Sequence, residues 1–156
     1  EGRESVNASP HSILTTYRPN PDWFDVREFV PPNVFALRGE RAWEMLDPRI
    51  LLTADQLRER FGPVTVNDWH RGGHFKYSGF RDPACLIGAR LSQHRFGRAL
   101  DMKFRDASPR EVFRYILENR DEFPYITTIE DVEHTPTWVH VDCRNNAEEG
   151  IRVIRP

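Results

Sequence analysis

Two runs of strict alternation constrain this chain more than any other feature. Leu100, Met102 and Phe104 alternate with Asp101, Lys103 and Arg105; further on, Val139, Val141 and Cys143 alternate with His140 and Asp142. A period of two marks a β-strand with one face turned to a core and the other left for polar groups. Asp101 therefore lies on the face opposite the apolar side chains of its strand, and His140 and Asp142 share one face of theirs. With 156 residues, the chain has the ordinary size of one domain able to bury its own core.

Residues 1–22 mix Ser, Asn, Pro and charge without periodicity and read as an extended N-terminal arm, with the compact domain spanning 23–156. Arg38 to Leu46 has helical spacing that Asp47-Pro48 ends. Thr53 followed by Gln56 predicts a capping box for a helix over 54–61, with Gly62 as its stop. Pro63 to Asn67 reads as a strand, and His70 to Leu91 as a long loop of the kind that carries function. Ser108-Pro-Arg-Glu111 opens the clearest helix: a Ser cap, Pro at the first helical position and Glu completing the box, with Val112, Phe113, Ile116 and Leu117 as its apolar stripe. Tyr125 to Ile129, Trp138 to Cys143 and Ile151 to Ile154 read as further strands. Few helices and many adjacent strands predict an α+β domain, a small antiparallel sheet with flanking helices.

A net charge of −2 argues against a nucleic-acid platform, which needs a concentrated excess of Lys and Arg. No apolar run approaches the ~20 residues that span a bilayer, so no membrane segment is expected. Cys85 and Cys143 fit either one disulfide or two buried thiols.

The chemistry concentrates in Ser92 to Asp101, where His94 ends the loop, Gly97 permits a tight turn and Asp101 enters a strand. His140 supplies a further imidazole. Two imidazoles and one carboxylate leave the fourth tetrahedral position of a zinc ion open, as a hydrolytic site requires. Taken one at a time, each residue has a plainer reading, a satisfied polar histidine or a salt-bridged carboxylate.

Together, the string Ser92-x-His94-x-x-Gly97-x-Ala99-x-Asp101 and the run Trp138-Val-His140-Val-Asp142 resemble the zinc D-alanyl-D-alanine carboxypeptidases. That family includes phage L-alanyl-D-glutamate endolysins and shares its fold with hedgehog signalling domains. The resemblance implies one zinc ion held by His94, Asp101 and His140, and hydrolysis of a peptide bond in the stem peptide of peptidoglycan at the bacterial cell wall. It also implies an arginine for a substrate carboxylate, for which Arg81, in Ser78-Gly-Phe-Arg81, and Arg71, just after a strand, compete. At the general base the chain departs from the family: Glu three residues or His two residues before the last ligand is replaced by Thr137 or Trp138. Asp142 is the nearest candidate by spacing, and Glu133 and His134 are alternatives. That departure keeps a second reading open, a non-catalytic zinc-binding module of the same fold that binds cell wall or other virion proteins. Trp69, Phe75, Tyr77 and Phe80 either line a groove or pack.

Overall fold

A computed structural model describes residues 21–156, so the expected arm over 1–22 lies almost wholly outside the described residues. The described chain starts on a 3-10 turn, Val26–Glu28, closed by a capping box between Asp25 and Glu28. Helix α1, Pro32–Arg38, follows. The segment expected as an ordinary helix from Arg38 is instead a 3-10 helix, Gly39–Met45. Gly39, at φ +56, breaks the α-helical path between the two, and the tighter winding still buries Ala42, Trp43 and the following Leu46.

Helix α2 runs from Pro48 to Phe61, beginning well before the start expected at Thr53. Asp47 is its N-cap, accepting from Arg49 N, and Pro48 occupies the first turn. Asp47-Pro48 thus ends one segment and begins the next. Thr53 is buried in mid-helix, its hydroxyl donating to Arg49 O at 2.8 Å, so the capping box proposed for it does not form. Helix α3, Pro109–Glu118, has the expected box: Ser108 N donates to Glu111 Oε2 at 2.7 Å and Glu111 N to Ser108 Oγ at 3.3 Å.

The strands are β1 Val64–Thr65, β2 Ala99–Phe104, β3 Thr128–Glu130, β4 Val139–Asp142 and β5 Arg152–Ile154, in one five-stranded sheet ordered β1-β2-β4-β3-β5. All pairs are antiparallel except β3 with β5, which is parallel. The sheet is therefore mixed: after β4 the chain crosses β3 and returns along its far edge. Leu100, Met102, Ile129, Val139, Val141 and Cys143 pack with Ile50 and Leu57 of α2 and Val112 and Ile116 of α3 in one core. Each such fully buried aliphatic contributes about 1.5–3 kcal/mol relative to exposure. Cys85 and Cys143 are both buried free thiols, and burial pushes Cys143 up to about 12.

The opposite face of the sheet carries Asp101 and His140. Two glycines bring the loops onto it. Gly97 sits at φ +66, and a Cβ there would fall 2.0 Å from Met45 O; the turn packs so closely that Asp47 N donates to Gly97 O at 2.9 Å. A Cβ on Gly79 would lie 2.2 Å from Phe29 O, where the loop before β2 is fastened by Phe80 N donating to that carbonyl at 2.7 Å. Lys103 on β2 ties down the same loop, donating from Nζ to Val66 O and Ser78 Oγ, each at 2.7 Å.

Candidate metal centre

Asp101 and His140 meet because β2 and β4 pair in the register that sets them directly opposite each other. His140 Nδ1 lies 2.8 Å from Asp101 Oδ1. His94 arrives from the 3-10 turn Gln93–Phe96, folded over the start of β2 by the Gly97 turn, and its Nε2 is 3.3 Å from the same Asp101 oxygen. The two rings stand edge to face with centroids 5.0 Å apart. One ligand atom from each of His94, Asp101 and His140 lies within 4.8 Å of the others, so the group could hold a metal ion.

The groups behind these atoms suit that role. His94 Nδ1 donates to Gly79 O at 2.8 Å, which leaves the Nε2 lone pair facing Asp101. His140 is held from behind in the same manner, its Nε2 lying 3.2 Å from Asp142 Oδ2. A metal-ligating imidazole is ordinarily oriented this way, one nitrogen on the ion and the other on a carbonyl or carboxylate. Arg81 Nη2 donates to Asp101 Oδ2 at 3.1 Å, and its Nε donates to Tyr77 O at 2.8 Å. The ligand carboxylate is thereby fixed with Oδ1 toward the imidazoles.

Burial lowers the pKa of His94, so in the metal-free protein that ring is neutral. His140 behaves oppositely. Burial disfavours its charge, yet hydrogen bonds to Asp101 and Asp142 outweigh that and raise it to about 9. Metal ligation needs the unprotonated nitrogen, so a divalent ion and a proton compete for His140. At pH 7 metal uptake should release about one proton, and affinity should climb by up to about tenfold per pH unit until His140 is neutral. Calorimetry in buffers of different ionisation enthalpy measures this; uptake without proton release would exclude a protonated His140 in the free protein.

The other residues singled out by sequence are dispersed. Asp142 is fully buried, and both its oxygens are taken: Arg144 Nε donates to Oδ1 at 2.8 Å, while Oδ2 faces His140 Nε2. It lies behind the ring and braces it. Asp142→Asn should therefore weaken metal binding about ten- to a hundredfold with the fold retained, read by competition with a chelator. Arg71 is half-exposed and pairs with Glu28 at 3.4 Å, whereas Arg81 touches the cluster. Glu133 pairs with Arg110 at 2.7 Å and His134 lies 3.7 Å from Asp131, both on exposed surface. The loop aromatics pack: Phe80 is buried, Trp69 Nε1 donates to Val30 O at 2.9 Å, and Phe75 lies under the Lys103 ammonium.

The residue that sequence reasoning missed is Glu130. It ends β3 beside His140 of β4, with Oε1 3.8 Å from His140 Nδ1, the nitrogen turned toward Asp101 and His94. It is half-buried, and desolvation raises its pKa above the ordinary carboxylate value. The strand expected to stop at Ile129 continues one residue further, and its register against β4 sets the carboxylate at the cluster. Alternation of Thr128, Ile129 and Glu130 was the available signal. A cavity of about 380 Å³ lies beside His140 and Glu130, lined among others by Arg81, Trp138, Arg144 and Arg155. No family profile, no curated protein and no solved structure matches the chain.

Proposed function

We propose that this chain is a zinc-dependent peptidase that cleaves a peptide bond in the stem peptide of bacterial peptidoglycan, as a D-Ala-D-Ala carboxypeptidase or a stem-peptide endopeptidase. The observation that carries the reading is the convergence of His94, Asp101 and His140 to within 4.8 Å, with the Glu130 carboxylate 3.8 Å from His140 Nδ1 and both of these side chains lining one cleft. Nitrogen and oxygen donors in this combination suit zinc, and three protein ligands are what catalytic rather than structural zinc sites use. The resemblance of the His94 and His140 motifs to the carboxypeptidase family supplies the substrate class.

Zinc, when bound, supplies Lewis-acid polarisation of a carbonyl and acidification of water toward a pKa of about 7. The chain's own residues do the rest. Glu130 Oε1 accepts the proton of the attacking water and returns it to the leaving amine nitrogen, the two-way transfer that one carboxylate can perform. Arg81 and Asp142 position Asp101 and His140. Trp138 and the arginines of the cleft line the space for the peptide.

The test is digestion of purified cell walls by the zinc-loaded protein. New amino termini or released D-alanine should appear, stop on chelation and resume when zinc is restored. Walls of several plausible hosts left intact by fully loaded protein would instead support the non-catalytic wall-binding or virion module.

A further inference from the structure

The loop from Pro83 to Leu91 borders the cleft through Gly88, Ala89 and Leu91, and its other side turns apolar tips to solvent. Leu86 is 96% exposed, Leu91 74% and Ile87 55%. One exposed aliphatic side chain is ordinary, but three within six residues of one loop form a patch of the kind that meets another surface. The charge around them is one-sided. From Pro83 to Leu100 the chain carries Arg90, Arg95 and Arg98 and no Asp or Glu. Leu86, Arg81, Arg90 and Arg95 line one hollow of about 460 Å³ that has no carboxylate in its wall.

Hydrogen bonds hold the loop in this shape. Arg95 fastens it by donating from Nη2 to Cys85 O at 2.8 Å, and from Nη1 to Asp82 O and Nε to Ala89 O, each at 3.3 Å. All three partners are carbonyls, so they satisfy its donors without neutralising its charge. Gly88, at φ +79, brings the chain so near Arg81 that a Cβ would fall 2.5 Å from Nη1. Arg81 itself is neutralised by Asp101. Arg90 is exposed and has no ion-pair partner among the described residues. The hollow therefore keeps two uncompensated cations beside the aliphatic tips.

We propose that this loop docks the protein on an anionic lipid surface, with Leu86, Ile87 and Leu91 entering the boundary between headgroups and acyl chains while Arg90 and Arg95 meet lipid phosphates. Cations beside apolar tips match a layer in which anionic groups overlie hydrocarbon. Protruding aliphatic side chains also suit a fluid layer, which needs no matching pocket. The cores of protein interfaces are enriched in aromatic residues, and single-stranded nucleic acids stack their bases on them; the loop from Pro83 to Arg95 has no Phe, Tyr or Trp. The inference stands apart from the peptidase reading.

The test is cosedimentation of the full chain with vesicles of phosphatidylcholine, alone or mixed with an equal amount of phosphatidylglycerol. The chain should partition onto the mixed vesicles at least about tenfold more strongly than onto the neutral ones, and added salt should weaken the difference. Leu86→Ser and Leu91→Ser should each lower partition by about tenfold, the effect of burying one leucine side chain, and Arg90→Ala by about fivefold. All three positions are exposed, so melting curves should match the wild type. Arg114→Ala removes an exposed arginine from α3, on the core side of the sheet, and should leave partition unchanged. Absence of binding to the mixed vesicles, or binding that the loop variants do not alter, would overturn the proposal. An equal loss in Arg114→Ala and Arg90→Ala would overturn it too, by showing that net charge alone is read. Loss in Arg90→Ala with none in either serine variant would remove the insertion of the tips. A dimer in sedimentation velocity that Leu86→Ser abolishes, without lipid binding, would assign the tips to a second copy of the chain instead.

Discussion

Glu130→Gln should keep the metal and lower hydrolysis by roughly a hundredfold or more, the usual contribution of a positioned general base. Gln preserves the size of the side chain and its place beside His140, where Oε1 now lies 3.8 Å from Nδ1, but its carboxamide cannot take up a proton. Since Glu130 is not among the three grouped ligands, metal content and fold should match those of the wild type. A pH profile gives a second readout. The base must be ionised to act, so activity falls as pH drops through its pKa, and burial sets that pKa above the ordinary carboxylate value. The acid limb that Glu130 carries should vanish in the variant. Full activity in Glu130→Gln would return the role of base to a group not yet identified at the cleft. Asp142→Asn distinguishes a base from a brace: its deficit should shrink when excess metal is added, whereas that of Glu130→Gln should persist.

His140→Ala should cost the site its metal. Binding energies of about 10–16 kcal/mol for structural zinc sites correspond to roughly 3–4 kcal/mol per ligand, or a hundred- to a thousandfold loss in affinity for each one removed. The loss is aggravated here because His140 also connects Asp101 to Asp142. Without it, the half-buried Asp101 and the buried Asp142 lose a common partner, and the cost of an uncompensated charge falls on folding as well. The sign of the pH dependence follows from linkage. His140 is raised to about 9 in the metal-free fold, so its stabilisation is fully present below its unfolded pKa and disappears as pH rises through about 9. In the metal-free state His140→Ala should thus destabilise more at pH 6 than at pH 10. Metal content measured by atomic emission and melting curves at both pH values test the two halves separately. Retention of full metal occupancy would remove His140 from the ligand set. His134→Ala is the matched control, an exposed imidazole beside Asp131 whose loss should change neither quantity.

The local signals in the chain were enough to place the candidate ligands on their elements. Alternation over Leu100–Phe104 and Val139–Cys143 determined which faces carry Asp101, His140 and Asp142. The Ser108-Pro-Arg-Glu111 cap determined the start of α3, and Gly97 marked a turn that only a residue without a Cβ can make against Met45 O. These are short-range effects, decided within a few residues of the chain. Thr53 misled because a capping box is a local option, and the rival start at Asp47-Pro48 won by supplying both a cap and a proline.

Tertiary structure decided everything that depends on which strand lies beside which. Alternation specifies a face but neither a register nor a direction, since a slip of two residues keeps every side chain on its side of the sheet. Only the β2–β4 register sets Asp101 opposite His140, and only the β3–β4 register brings Glu130 within 3.8 Å of the same imidazole. The parallel pairing of β5 with β3, which carries Arg155 to the cleft, has no counterpart in hydrophobic pattern at all. Arg81 and Arg71 were equal candidates by sequence; the folded loop gave one to Asp101 and the other to Glu28. Asp142, nearest to His140 by spacing, is turned behind the ring by Arg144, because a carboxylate buried on a strand takes the cation that reaches it.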